Sequence, residues 1–255
     1  MSKVLAIAQF TLLEALRTRL LWLVLAMLAL LGLGSLLVQQ VAITETARMQ
    51  TGFLAASARM AGVFILCLHV ASSMVREFND KGVDLLLSLD LPRAGYYLGK
   101  LLGFAALALI MAALISAALA WRVPLTGLTL WGLSLGCELV LMSALTLFCV
   151  ITFVQIMPAV SFVFGFYLLA RSLAAVRLMA GSQLLNAQAW TNKVTRWLVD
   201  GLAMVLPDLE RYTQTAWLVN APEVLPALGF VVLQTSVYGL LLTLAGLYDL
   251  YRKNL

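Results

Sequence analysis

Charge is the first thing this chain lacks. Asp, Glu, Lys and Arg make up 11% of its 255 residues, against about 25% in an ordinary soluble domain. Hydrophobic residues make up 63%, and the mean hydropathy is +0.99. A soluble fold of this size could not hide so much apolar surface, because over half of a folded surface still faces solvent. Soluble globular, disordered and fibrous classes are excluded, which leaves a polytopic membrane protein. Histidine is almost absent: His69 stands alone, so a His-rich metal site is impossible. The three cysteines, Cys67, Cys137 and Cys149, all sit inside apolar runs. There a thiol behaves as a small inert hydrophobe, with neither a disulfide framework nor metal-ligand spacing, and no metal is expected.

A nucleotide loop is lacking too. Gly95-Tyr-Tyr-Leu-Gly99-Lys100-Leu101 has a phosphate-loop look. It has too few residues between its glycines, and Leu where Ser or Thr is required. No catalytic residue, cofactor or enzymatic activity is expected of this chain. The excess of Lys and Arg over Asp and Glu gives a net charge of +5. In a membrane protein this points to loops facing an anionic leaflet rather than to nucleic acid, which is not an expected partner.

What is present is a series of apolar runs. A hydrocarbon core of about 30 Å takes roughly 20 helical residues. Leu20–Val38 is uncharged and Leu-rich, too long for a signal-peptide core, and reads as a retained first span. Met60–Val75 is a shorter second span. Leu101–Ala120 is a third, closed by Trp121-Arg122, and Leu128–Phe153 a fourth, interrupted only by Glu138. Pro158 opens a fifth, 158–176, that contains Arg171, since proline suits the first turn of a helix. Pro226–Tyr248 is a sixth, followed by Asp249 and the basic pair Arg252-Lys253. Six spans place both termini on one side. Lys3, Arg17, Arg19, Arg76, Lys81, Arg93, Lys100, Arg252 and Lys253 share that side; the other side has Arg48, Arg59, Arg122, Arg171, Arg177, Lys193, Arg196 and Arg211, of which the last five belong to the fifth-to-sixth region, part of which can itself lie in the membrane. The positive-inside rule then puts the termini in the cytoplasm.

Three segments outside the spans carry information. In residues 1–19, Val4, Ile7, Ala8 and Leu12 share an apolar face while Glu14, Arg17 and Arg19 point elsewhere, the pattern of an interfacial helix. The loop Arg76–Lys100 concentrates charge around a short Leu-rich patch, and Pro92 ends any helix there. Within Gly181–Glu223, Trp190, Val194, Trp197, Leu198, Gly201 and Val205 form one stripe, with Lys193, Arg196 and Asp200 on another. This reads as a Trp-anchored amphipathic helix at the outer interface, with re-entry into the membrane left open.

Polar residues inside spans mark function or interhelical bonding, because burying them costs a few kcal/mol. His69, Ser72, Ser73 and Arg76 fall on one stripe of the second span, continuing from Gly62 and Leu66. That stripe is a substrate path or gate, or a row of interhelical hydrogen bonds. Glu138, near mid-membrane, has three options: Arg171 as partner, His69 as partner, or a proton. Gly132 and Gly136, four apart, permit close packing.

The order of parts resembles the permease subunit of the type-2 ABC exporter superfamily. The stretch carrying the resemblance runs from Glu77-Phe-Asn-Asp80-Lys-Gly82 through Leu85-Leu86-Leu87-Ser88-Leu89-Asp90-Leu-Pro92-Arg93 to Gly99-Lys100. Pro92 sits closer to Arg93 than in the usual family pattern. Leu206-Pro207-Asp208-Leu209-Glu210-Arg211-Tyr212 is similar to a segment before the last span of some members. The resemblance implies a coupling helix within 76–100 that docks in a separate cytoplasmic ATPase. Glu77, Asp80, Gly82, Leu86, Ser88, Leu89, Pro92 and Arg93 are its implied coupling residues. It also implies a second permease copy, identical or paralogous, a bacterial inner-membrane location, ATP and Mg held by the ATPase alone, and room for a periplasmic accessory protein. The fold expected is all-α, a single polytopic transmembrane domain over 1–255. Other classes are an intramembrane hydrolase using His69 with Ser72 or Ser73, a proton-driven transporter using Glu138, and a mechanotransmitting permease. The first lacks a second catalytic group, the second lacks internal repeats, and the third lacks a large outer domain.

Overall fold

The computed structural model describes residues 3–41, 46–80, 92–181, 197, 199–202, 204–218 and 224–252. Every regular element among them is helical: α1 Lys3–Arg17, α2 Leu20–Val41, α3 Thr46–Asn79, α4 Arg93–Leu119, α5 Leu125–Phe153, α6 Ile156–Gly181 and α7 Val224–Arg252, with short 3₁₀ turns at Leu209–Arg211 and Thr215–Leu218. Helices α3 to α7 each contain a segment long and apolar enough to cross a membrane, and α1 with α2 forms a sixth candidate bent by 51°. The chain is thus an all-α polytopic membrane protein with five to six candidate spans.

Helix α5 is the axis of the bundle. Its most apolar window is 78% buried, and it packs against α3, α4, α6, α7 and the second 3₁₀ turn. Gly132 and Gly136 make the α4 contact possible. A Cβ on Gly132 would lie 2.5 Å from Ser116 Oγ, and one on Gly136 would lie 3.1 Å from a Leu109 methyl. Close approach through small residues drives association where lipid offers no hydrophobic gain. In contrast, the corresponding window of α7 is 6% buried. Leu233, Leu240, Leu241 and Leu244 are exposed along α7, the face that lipid tails cover.

Helix α3 differs from its sequence reading. It begins at Thr46 rather than Met60, so Arg48 and Arg59 belong to it instead of to a loop. Hydropathy averaging misses the first turns because they carry Thr, Gln, Ser and Arg. Thr51 and Ser57 turn their hydroxyls back onto the carbonyls of Ala47 and Phe53, so the helix continues without exposing those donors. Helix α6 begins at Ile156 with Pro158 in its first turn, where no intrahelical N–H is needed. The α5–α6 reversal is tight. Val154 caps α5 in the left-handed region with φ 57°, a conformation that strains a β-branched residue.

The start of α1 and the end of α7 lie at one end of the bundle. Arg93, which opens α4, donates to the carbonyls of Leu250 and Tyr251 at the end of α7 (3.3 and 3.4 Å). Thr152 donates to Asp249 at 2.6 Å, joining the last turns of α5 and α7. Helix α1 follows α4 along a strip of glycines: Gly95 meets Val4, Gly99 meets Ile7 and Gly103 meets Thr11, and a Cβ added to Gly99 or Gly103 would fall 2.7 Å from the Cβ of Ile7 or Thr11.

Candidate functional site

Two constellations of polar residues stand out, one deep in the bundle and one at the end where α1 begins and α7 stops. The deep one is built around an irregular turn. Residues 206–218 descend between the helices: Gly127, in the first turn of α5, meets the backbone of Trp217, whereas Thr213 reaches Ser134 and Glu138. At 1.5 Å per residue the turn follows α5 inward for about 16 Å. The turn therefore dips into the helix bundle as far as Glu138. Irregular backbone at membrane depth survives only where protein buries it and satisfies its polar groups. Leu209, Tyr212, Thr213, Trp217 and Leu218 are all buried.

Arginines supply the missing donors. Arg171 on α6 reaches the carbonyls of Leu209 (2.5 Å) and Tyr212 (3.3 Å) and the Thr213 hydroxyl (3.4 Å). Arg59 on α3 donates to both the carbonyl and the hydroxyl oxygen of Thr213, each at 3.2 Å. Glu138, fully buried on α5, answers with one oxygen 3.6 Å from Arg171 and the other accepting from the Thr213 hydroxyl at 2.8 Å. Tyr167 donates to Glu138 at 3.0 Å, and the Thr213 N–H donates to Ser134 Oγ at 3.0 Å. Thr213 holds φ 45° to make these bonds. Tyr212 fastens the turn to α7 through the Val231 carbonyl (3.2 Å) and Thr235 (2.9 Å).

Of the three options for Glu138, the structure takes Arg171 and leaves His69 elsewhere. The sequence missed Arg59, Tyr167, Ser134 and Thr213. Arg59 carried a readable signal, an arginine within helical reach of a span, but its neighbours' polarity placed it in a loop. Thr213 carried none. Behind Tyr167 opens an apolar groove of about 940 Å³ between α2, α3 and α6, lined by Leu30, Met60, Phe64 and Phe164 among others.

The second constellation lies where α1, α3 and α4 meet. Glu77, near the end of α3, forms an ion pair with Lys100 of α4, whose side chain is 6% exposed. Ser73 donates to Glu14 of α1 at 3.4 Å. Of the α3 stripe, Gly62, Leu66 and Ser73 are buried, His69 and Ser72 half-buried, and Arg76 exposed. Ser72 bonds back to the His69 carbonyl. The Gly-rich stretch before Lys100 is thus a helix-packing strip rather than an anion loop. Among the implied coupling residues, Glu77 and Arg93 join α3 to α4 and α4 to α7. Asp80 is exposed, and Pro92 is the extended residue preceding α4. Gly82, Leu86, Ser88 and Leu89 lie outside the described residues.

At the opposite end, residues 199–202 and 204–205 are helical. Trp197, Gly201 and Val205 of the expected stripe are exposed, while Asp200 lies 3.8 Å from Arg177. Trp190, Lys193, Val194, Arg196 and Leu198 lie outside the described residues. Among the described residues no cluster of His, Cys, Asp and Glu could hold a metal ion. The chain matches no protein-family model, and no curated protein was found similar to it.

Proposed function

We propose that this polytopic membrane protein is the permease subunit of an ATP-driven exporter of the type-2 ABC class, working as a pair of permease chains with a separate cytoplasmic ATPase. The observation that supports this most is the corner formed by α1, α3 and α4. An exporter permease must carry a push from an ATPase into the bilayer, which takes a stiff element joined to spanning helices. Here the segment between Asn79 and Arg93 leaves from a 34-residue helix and returns into a 27-residue one. Three ties brace the exit: the Glu77–Lys100 pair, the α1 strip on Gly95, Gly99 and Gly103, and the Arg93 clamp on α7. A force applied to that segment reaches α3, α4 and α7 together. The excess of Lys and Arg at this end supports a cytoplasmic position for it under the positive-inside rule.

The surroundings of Glu138 support a structural duty rather than proton carriage, since both its oxygens are already engaged by Arg171, Tyr167 and Thr213. The groove beside Tyr167 has the apolar walls that an amphipathic cargo or a second permease chain requires.

The reading is tested by purifying the chain from its own membrane in mild detergent and assaying the preparation for ATP hydrolysis. A P-loop ATPase should accompany the protein, and Leu86→Asp should remove it or abolish the coupling of hydrolysis to transport. Transport by the chain alone, or an intact and fully coupled complex with Leu86→Asp, overturns the proposal.

A further inference from the structure

The corner between α1, α3 and α4 encloses a cleft of about 400 Å³, within the size range of ligand sites. Its walls are both charged and apolar. Glu77 and Lys100 neutralise each other. That leaves Glu14 and Asp80 as carboxylates and Arg76 as a cation, with Ile7 and Phe10 as the apolar wall. Among the described residues, Glu14 receives only the Ser73 hydroxyl, and Asp80 and Arg76 have no ion-pair partner. Phe10 at the mouth is 74% exposed, and Leu5 and Leu13 on the same helix are exposed as well. An apolar rim of this kind faces acyl chains rather than water.

The level of the cleft is fixed by its neighbours. Tyr97, one turn before Lys100, packs on Gly246, and the exposed rings of Tyr248 and Tyr251 follow on α7, beside Asp249 and Arg252. Exposed tyrosines next to charges mark the headgroup layer. The cleft therefore lies at the depth of the lipid headgroups.

We propose that this cleft holds the headgroup of an aminophospholipid, phosphatidylethanolamine in chemical class, with its ammonium on Glu14 and Asp80 and its phosphate on Arg76. Two carboxylates and one guanidinium match one ammonium and one phosphate better than either charge alone. A primary ammonium offers three N–H donors to carboxylates. The quaternary ammonium of phosphatidylcholine offers none, and anionic phosphatidylglycerol brings no cation to Glu14 and Asp80. The inference does not depend on an ATPase partner and survives failure of the exporter reading.

Native mass spectrometry of the full chain tests it, with phosphatidylethanolamine, phosphatidylcholine and phosphatidylglycerol of identical acyl chains added in turn. The first should be retained preferentially. The Glu14→Gln, Asp80→Asn double variant should lower its retention about tenfold, the loss of roughly one charge-assisted bond, and bring it level with phosphatidylcholine. Leu233→Ala on the lipid face of α7 should leave retention unchanged. A photoreactive phosphatidylethanolamine, used on the unmodified protein, guards against misfolding of the variants and should label the peptides containing Phe10 or Arg76. Free phosphoethanolamine should not compete, because it lacks the chains that Phe10 meets. Equal retention of the three lipids, undiminished retention by the double variant, labelling only elsewhere, or a cleft occupied by a protein partner in place of lipid overturns the proposal.

Discussion

Thr213 shows how much one residue can organise in a membrane. Its hydroxyl accepts from two arginines and donates to a glutamate, its N–H finds Ser134, and its carbonyl takes Arg59. The left-handed φ of 45° is the cost of aiming all of these at once, and glycine would remove that strain. Thr213→Gly should nonetheless destabilise the protein, because the lost hydroxyl leaves buried partners unmatched at about 1–3 kcal/mol. Thr213→Ser should stay close to wild type, and thermal unfolding in detergent separates the two. Val154 provides the converse. Its φ of 57° serves a reversal and no hydrogen-bonding centre, so Val154→Gly should raise stability by about 1 kcal/mol in the same measurement. Glu138→Ala belongs with the first case. It strands Arg171 and Arg59 beside buried carbonyls and should cost about 3 kcal/mol, the low end for a broken buried pair, because Arg171 remains partly exposed.

Among the helices, the α1–α4 contact is the one that a single substitution should undo. A Cβ on Gly99 would fall 2.7 Å from Ile7 Cβ and 3.0 Å from the Val4 carbonyl, so a larger residue there fits only if α1 moves away. Gly99→Leu should lift α1 from α4. Oxidative cross-linking of Val4→Cys to Gly95→Cys reads this directly: a bond should form efficiently in the parent and fail with Leu at 99. Gly246 is the matching point for α7, where added carbon would meet the ring of Tyr97. These contacts were only partly legible in the sequence. Gly132 and Gly136 announce a packing face by their spacing, and the structure uses them so. Gly95, Gly99 and Gly103 keep the same spacing, but Lys100 drew attention to phosphate chemistry instead. Spacing shows that a helix has a small-residue face; it does not show which helix arrives there.

Taken as a whole, the molecule inverts the soluble pattern, with its least covered helix at the lipid boundary and its polar residues near the axis. Amide hydrogen exchange in nanodiscs should be slowest along α5 and faster along α7, as their burial dictates. Equal protection in both would mean that something other than lipid covers α7. Membrane class and the apolar core of each span follow from hydropathy alone. The extra turns of α3 and the descent of residues 206–218 do not, because each depends on partners far away in the chain: Arg59 and Thr213 are 154 residues apart. That separation has a consequence for biogenesis. The ribosome delivers Arg59, Glu138 and Arg171 to the membrane before Thr213 exists, so three helices must enter the lipid with their charges only provisionally quenched. The hairpin leading into α7 acts as a late keystone, and a chain truncated ahead of it should be recognised by quality-control proteases as unfinished.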